Sequence, residues 1–172
     1  MGVPWLRLSG PVRATEPRRG ASPTRGWRSW WLEFGDWWST PASITGKHHH
    51  GETQGEHAQE VFRLAALHWR RVPDERIRKC HTIKRSFLRA ARFHDVGKAI
   101  DRDEHDLAGY SWMLPRDPLA AILILTHMGR WCSPEVKDLL ECPVVRNYWS
   151  QPIFRFLAEM LQACDYTAAC CS

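Results

Sequence analysis

The sequence predicts an all-α protein, a compact bundle of about six helices behind a disordered basic N-terminal tail. Three observations carry that expectation. From residue 54 onward, apolar residues recur at the i, i+3, i+4 spacing of a helix face, and no run alternates as a strand would. The periodic segments are punctuated by prolines at positions where helices start or stop, namely Pro73, Pro115, Pro118, Pro134 and Pro143. The connections are short, and no internal repeat is visible.

In chain order, residues 1–26 are rich in Arg, Pro, Gly and Ser and have no periodicity, the composition of a disordered tail. Residues 27–38 hold Trp27, Trp30, Trp31, Trp37 and Trp38. With Phe34 they repeat the helical spacing twice, at 27/30/31 and 34/37/38. This predicts a short amphipathic helix docked on the core; a surface for a protein partner or for base stacking is the other reading. The folded domain is expected over 39–172. Its first helix, Glu56 to Arg71, sets His57, Val61, Leu64, Ala65 and His68 along one face, and Pro73 interrupts it. Asp74 or a neighbour caps a second helix running through Ile77, Ile83, Phe87, Leu88, Ala91 and Phe93. A third runs from near Asp103 to Met113, where Pro115 stops it. Asp117-Pro118 opens a fourth through Leu119–Leu125, closed by Gly129. Ser133-Pro134-Glu135 opens a fifth that ends before Pro143. The last spans about Gln151 to Ala169, with Phe154, Leu157, Leu161 and Cys164 turned inward.

A length of 172 residues suits one domain with an appendage, and 44% apolar with 25% charged residues is the balance of a soluble globular chain. The longest apolar run, Leu119–Leu125, falls far short of the roughly 18 residues a membrane span needs. The opening residues lack the apolar core of a secretory signal and the hydroxyl residue of a myristoylation signal, so the expected compartment is the cytoplasm. The formal charge of +5 belongs to the tail: residues 1–30 carry six arginines against Glu16, and the remaining 18 basic and 18 acidic side chains cancel. Most of the six cysteines, which include no CxxC pair, read as small buried apolar residues, and the adjacent Cys170-Cys171 as a pair that could oxidise or bind a soft metal.

The sharpest feature is Arg92-Phe93-His94-Asp95-Val96-Gly97-Lys98. Imidazole nitrogen and carboxylate oxygen are both good ligands for a divalent cation. As neighbours, His94 and Asp95 converge on one ion only where the chain leaves regular helix, and Gly97 permits that. Lys98 then sets a cation where a phosphate would approach. Further ligands are at hand: His57 on the inner face of the first helix, His105 opening the third, His127 closing the fourth, and Asp165 on the inner stripe of the last. Taken singly, an inward His or Asp is more often a hydrogen-bonded core residue. Five helices each supplying one suitable group shifts the balance toward a shared ion, which would compensate them together.

The order His57, His94-Asp95, His105, His127, Asp165 resembles the H…HD…H…H…D pattern of the HD superfamily of metal-dependent phosphohydrolases, over about residues 40–169. His94-Asp95-Val96-Gly97-Lys98 is similar to the family's HDxGK, Thr126 to Trp131 to its later His motif, and Cys164 to Ala168 to its closing aspartate motif. Pro41-Ala42-Ser43 through His48-His49-His50-Gly51 resembles the lead-in of phage-type and ribonuclease-type members. The resemblance implies an HD-domain helical bundle and hydrolysis of phosphomonoesters or phosphodiesters at one or two metal ions. His57, His94, Asp95, His105, His127 and Asp165 would be the ligands. Asp95 or Asp165 would orient the attacking water, and Lys98 and Arg130 would hold the substrate phosphate. Mixed His and carboxylate donors favour Mn, Ni, Fe or Co over Mg. Thr126 stands where many two-metal members have a second His, and Ala169 where Ser is usual, so one metal or two stays open.

The expected substrate is a nucleotide or single-stranded nucleic acid. The HD nuclease domain of CRISPR interference shares His94 to Ala99 and a downstream Glu104-His105, and Arg85, Arg89, Arg92 and Arg130 would line its strand path. The neutral charge of residues 31–172 favours a small nucleotide instead. A third reading, of a different class, is a non-catalytic module that binds a protein partner through residues 27–38. His48-His49-His50 reads as a solvated loop or as a loop at the mouth of the site.

Overall fold

A computed structural model describes residues 34–42, 52–128 and 134–171. The Arg-rich tail, Trp27, Trp30, Trp31, the His48–His50 loop, Gly129 and Arg130 lie outside them. Among the described residues there are eight α-helices and no strand, only an isolated bridge between Pro41 and Thr53. The all-α expectation holds, with two more helices than the periodicity suggests.

Helix α1 (Gln54–His68) starts where Thr53 accepts a bond from the Glu56 amide while the Glu56 carboxylate accepts from the Thr53 amide at 2.9 Å. This reciprocal cap fixes the first turn, on which His57 rides. The chain continues through a 3-10 turn, Trp69–Arg71. The single helix expected from Asp74 to Phe93 is in fact two, α2 (Glu75–Lys79) and α3 (His81–Phe93), broken at an extended Cys80. The indole of Trp69 donates to the Arg78 carbonyl at 3.0 Å, an acceptor that a continuing helix would have needed for its own ladder.

Helix α4 (His105–Met113) follows, and α5 (Pro118–Thr126) begins with Asp117 accepting from the Ala120 amide and Pro118 in its first turn. α5 ends at Thr126, earlier than the Gly129 stop expected. Residues Ala120 to Thr126 are buried on every side, as befits a central helix. Pro143, expected as a stop, opens a further helix: α6 (Pro134–Glu141) gives way at Cys142 to α7 (Pro143–Trp149). A proline lacks only an amide that a first turn leaves unbonded anyway, so it serves as readily to start a helix as to end one. Helix α8 (Pro152–Cys171) closes the bundle. α1 packs on α3 and α8, and α5 lies against α3, α4 and α8. The described residues fall in one packed unit.

Of the tryptophan segment expected as a short amphipathic helix, positions 34–38 lie within the described residues. Gly35 has φ +43°, a left-handed conformation, and Gly35–Ser39 is a 3-10 turn. Phe34 meets Trp112 at 5.2 Å and Trp38 meets Phe93 at 5.8 Å, so this end of the segment covers the turn carrying His94. None of the described helices is long and apolar enough to cross a membrane.

Candidate metal centre

Six side chains of ligand type meet inside the bundle. His57 comes from the first turn of α1, His94 caps the C-terminus of α3, and Asp95 follows it into a 3-10 turn, Val96–Ala99. His105 is the first residue of α4, His127 caps the C-terminus of α5, and Asp165 projects from the middle of α8. They form two adjoining triads, His57/His94/Asp165 and Asp95/His105/His127, each with its ligand atoms within 4.8 Å of one another. Oδ1 of Asp165 lies 2.9 Å from Nε2 of His57 and 3.3 Å from Nε2 of His94. Asp95 reaches Nε2 of His94 at 3.6 Å through Oδ2, and those of His105 and His127 at 3.6 and 3.7 Å through Oδ1.

The two cap histidines are oriented by the helix ends themselves. The last carbonyls of a helix have no partner further along. Nδ1 of His94 lies 3.1 Å from the Ala91 oxygen, and Nδ1 of His127 lies 2.6 Å from that of Ile124, three residues back in each case. A carbonyl oxygen only accepts, so Nδ1 carries the hydrogen in both rings. In the neutral ring the lone pair is then on Nε2, the atom turned toward the carboxylates. These two Nε2 atoms and both ring nitrogens of His105 are buried without a hydrogen bond. Lone pairs facing carboxylate oxygens in a buried cluster repel unless a proton or a cation lies between them.

The electrostatics follow from this crowding. Burial depresses the His94 imidazole, but the carboxylates of Asp95 and Asp165 outweigh it, and the net displacement is upward. Burial raises the Asp95 carboxyl, and the His94, Lys98 and His127 charges more than reverse it, holding it well below the carboxylate range. Asp165 is likewise lowered, by His94 and His57 acting against burial. His105 goes the other way: burial, reinforced by the neighbouring His127, brings it down to about 4.

Lys98, assigned to a substrate phosphate from the sequence, lies with Nζ 2.5 Å from Oδ2 of Asp95, largely buried beside the triad. Gly97 acts by a different route from the one its sequence position suggests. Its φ is not positive; what it supplies is space, since a Cβ there would stand 1.7 Å from the His105 carbonyl oxygen and 2.6 Å from the Gly109 amide. The backbone contact between the 3-10 turn and α4 thus brings Asp95 and His105 together.

Two residues near the site, Glu52 and Asp106, were not legible from spacing. Glu52, mostly buried, has Oε2 3.7 Å from Nδ1 of His57. Asp106 is buried beside His105. Asp117 anchors the start of α5, accepting from Arg89 at 2.6 Å and Ser86 at 2.9 Å. Of the arginines expected to line a strand path, Arg85 is exposed, Arg89 is held by Asp117, and Arg92 bonds Gln59 and lies over the Phe62 ring at 5.9 Å. Arg130 is outside the described residues.

No family model, curated protein or solved structure matches the chain. The structure by itself establishes a helical protein with buried His and Asp groups that could hold a metal ion.

Proposed function

We propose that this chain is a metal-dependent phosphohydrolase of the HD type, acting on the phosphate ester of a nucleotide. One observation carries the reading: the Nε2 lone pairs of His94 and His127, fixed by the Ala91 and Ile124 carbonyls, face the Asp95 and Asp165 oxygens in a buried cluster. Cations fit that donor set, and the six residues form two triads that would hold two of them. His and carboxylate donors together favour Mn, Fe, Co or Ni over Mg.

Such ions, when bound, lower the pKa of water and offset charge on a phosphoryl group. The chain's own groups supply the rest. Asp95 and Asp165, held ionised by their surroundings, are acceptors able to align a water hydrogen. Lys98, already beside Asp95, offers ammonium hydrogens to a phosphate oxygen arriving there. Hydrolysis adds the water oxygen to phosphorus and breaks the ester bond, a proton of the water passing to the departing ester oxygen.

A small nucleotide suits the surface better than a polynucleotide, because Arg89 and Arg92 are engaged within the fold. The test is the metal content of purified, untagged protein by plasma mass spectrometry, wild type against Asp95→Ala. One or two equivalents of transition metal, lost in the variant while helical circular dichroism persists, support the site. Nucleotides and single-stranded DNA are then screened with that metal. No metal in the wild type after reconstitution with Mn²⁺, Ni²⁺ or Fe²⁺ overturns the reading and turns attention to the Trp-rich segment as a binding surface.

A further inference from the structure

His57 differs from the two cap histidines in where it stands on its helix. A helix start has spare amides, not spare carbonyls. The Thr53 oxygen ahead of it accepts the His57 amide at 3.0 Å, the ordinary bond of a first helical turn. Nε2 of His57 shares the ring hydrogen with Oδ1 of Asp165 at 2.9 Å. What faces its Nδ1 is a carboxylate, Oε2 of Glu52, at 3.7 Å, with the ring wholly buried and the Glu52 side chain 9% exposed.

The backbone around Glu52 is held in place. The Ala42 amide donates to the Glu52 carbonyl at 2.9 Å, Pro41 and Thr53 form a bridge, and the Gln54 amide donates to the Thr40 oxygen at 2.8 Å. The Gln54 side chain adds a buried bond to the Ala42 oxygen at 3.0 Å. This bridge and its hydrogen bonds thus fix the residue just before the cap of α1 and set its carboxylate behind the ring. A buried carboxylate beside an imidazole is tolerated when the ring turns an N–H toward it.

We propose that Glu52 is a positioning residue for His57: when a cation takes the place of the hydrogen that Nε2 shares with Asp165 at 2.9 Å, Glu52 draws the ring hydrogen to Nδ1 and leaves the Nε2 lone pair to the ion. The proposal rests on the metal-centre reading. It makes Glu52 the counterpart, at a helix start, of the Ala91 and Ile124 carbonyls. Outer partners of this kind raise the basicity of the ligand nitrogen and typically contribute 10–100-fold to metal affinity.

The experiment is calorimetric titration of metal-free full-length protein with Co²⁺, comparing wild type with Glu52→Met, which keeps the length and removes the acceptor, and Glu52→Gln, which keeps a neutral one. Thermal unfolding of each metal-free protein is the control for folding. Expected is a loss of about 10-fold or more in Co²⁺ affinity for Met and a smaller loss for Gln, with unfolding midpoints close to wild type. In a His57→Ala background, Glu52→Met should weaken Co²⁺ binding no further. Co²⁺ binding as tight as wild type in both variants overturns the positioning role, and so does a Glu52→Met loss undiminished in the His57→Ala background. A wild type that binds no Co²⁺ overturns the metal-centre reading itself, a result told apart by its appearing without any substitution. Should Glu52→Met fail to fold, Glu52→Gln alone decides, since unchanged affinity there removes the need for a charged partner.

Discussion

Nε2 of His94 lies 3.3 Å from Oδ1 of Asp165, while Nδ1 of the same ring is committed to the Ala91 carbonyl. A neutral ring therefore meets the carboxylate with its lone pair, and the pair is at ease only with a proton or a cation between them. The upward displacement of His94 says that, without a metal, the proton takes that place to a higher pH than an ordinary imidazole would hold it. A metal ion must then displace it. Co²⁺ affinity is expected to rise as pH increases through and above the ordinary imidazole value of about 6.5, with proton release on binding. Calorimetry in buffers of different ionisation enthalpy measures the release. An affinity flat from pH 6 to 8.5 would contradict the arrangement.

The metal-free protein should show an optimum of stability near pH 6.5. His105 is lowered to about 4, so between that value and the unfolded value near 6.5 the unfolded chain binds the extra proton. Stability from this group is complete above 6.5 and lost as pH falls toward 4, on the order of 3 kcal/mol in all. His94 is raised, so its contribution is complete below 6.5 and lost as pH climbs through its folded value. Asp95 and Asp165 are lowered and add a further loss as pH falls through the carboxylate range and below. Urea unfolding of metal-free protein from pH 4 to 9 measures the profile, and stability rising steadily to pH 9 would count against the His94 assignment.

Gly97→Ala should be among the most damaging small substitutions in the chain. The new methyl would have to displace backbone, the His105 carbonyl at 1.7 Å and the Gly109 amide at 2.6 Å, and no side-chain rotation can relieve that. Overpacking of this kind costs about 3 kcal/mol, and more where backbone must shift. It also pushes His105 away from Asp95, so metal affinity should fall even where the protein still folds. Thermal unfolding and Co²⁺ titration together check this. An alanine variant with both properties unchanged would show that the turn and α4 do not pack as described.

How much of this was legible in the sequence depends on what holds each residue. His57, His94, His105, His127 and Asp165 could be read because each sits at a helix end or on an inner stripe, and helix ends and stripes leave local signals. The break at Cys80 could not, because it depends on Trp69 capturing the Arg78 carbonyl, a contact made across a corner of the fold. Pro143 was ambiguous in principle, since proline both ends and begins helices. Glu52 left no pattern: its place behind His57 comes from a bridge between Pro41 and Thr53 that no periodicity announces. The reason for Gly97 was hidden in the same way, in a contact with α4.

Asp117 links the helix core to the centre without touching it. Its Oδ1 caps the Ala120 amide at 3.1 Å, and its Oδ2 takes Arg89 at 2.6 Å and Ser86 at 2.9 Å, so α3 and the start of α5 share one buried carboxylate. The far ends of the same two helices carry His94 and His127. Asp117→Ala removes both the cap and the charge facing a mostly buried guanidinium, at a cost of about 3 kcal/mol or an unfolding midpoint about 10 °C lower. Asp117→Asn keeps a capping oxygen and should fall between the two. Because α3 and α5 then lose a common anchor, the alanine variant should also bind Co²⁺ more weakly although no ligand has changed. Thermal unfolding and calorimetry on the two variants separate these effects. Weaker stability with unaltered Co²⁺ affinity would mean that the cap positions of His94 and His127 are set by the helix ends alone.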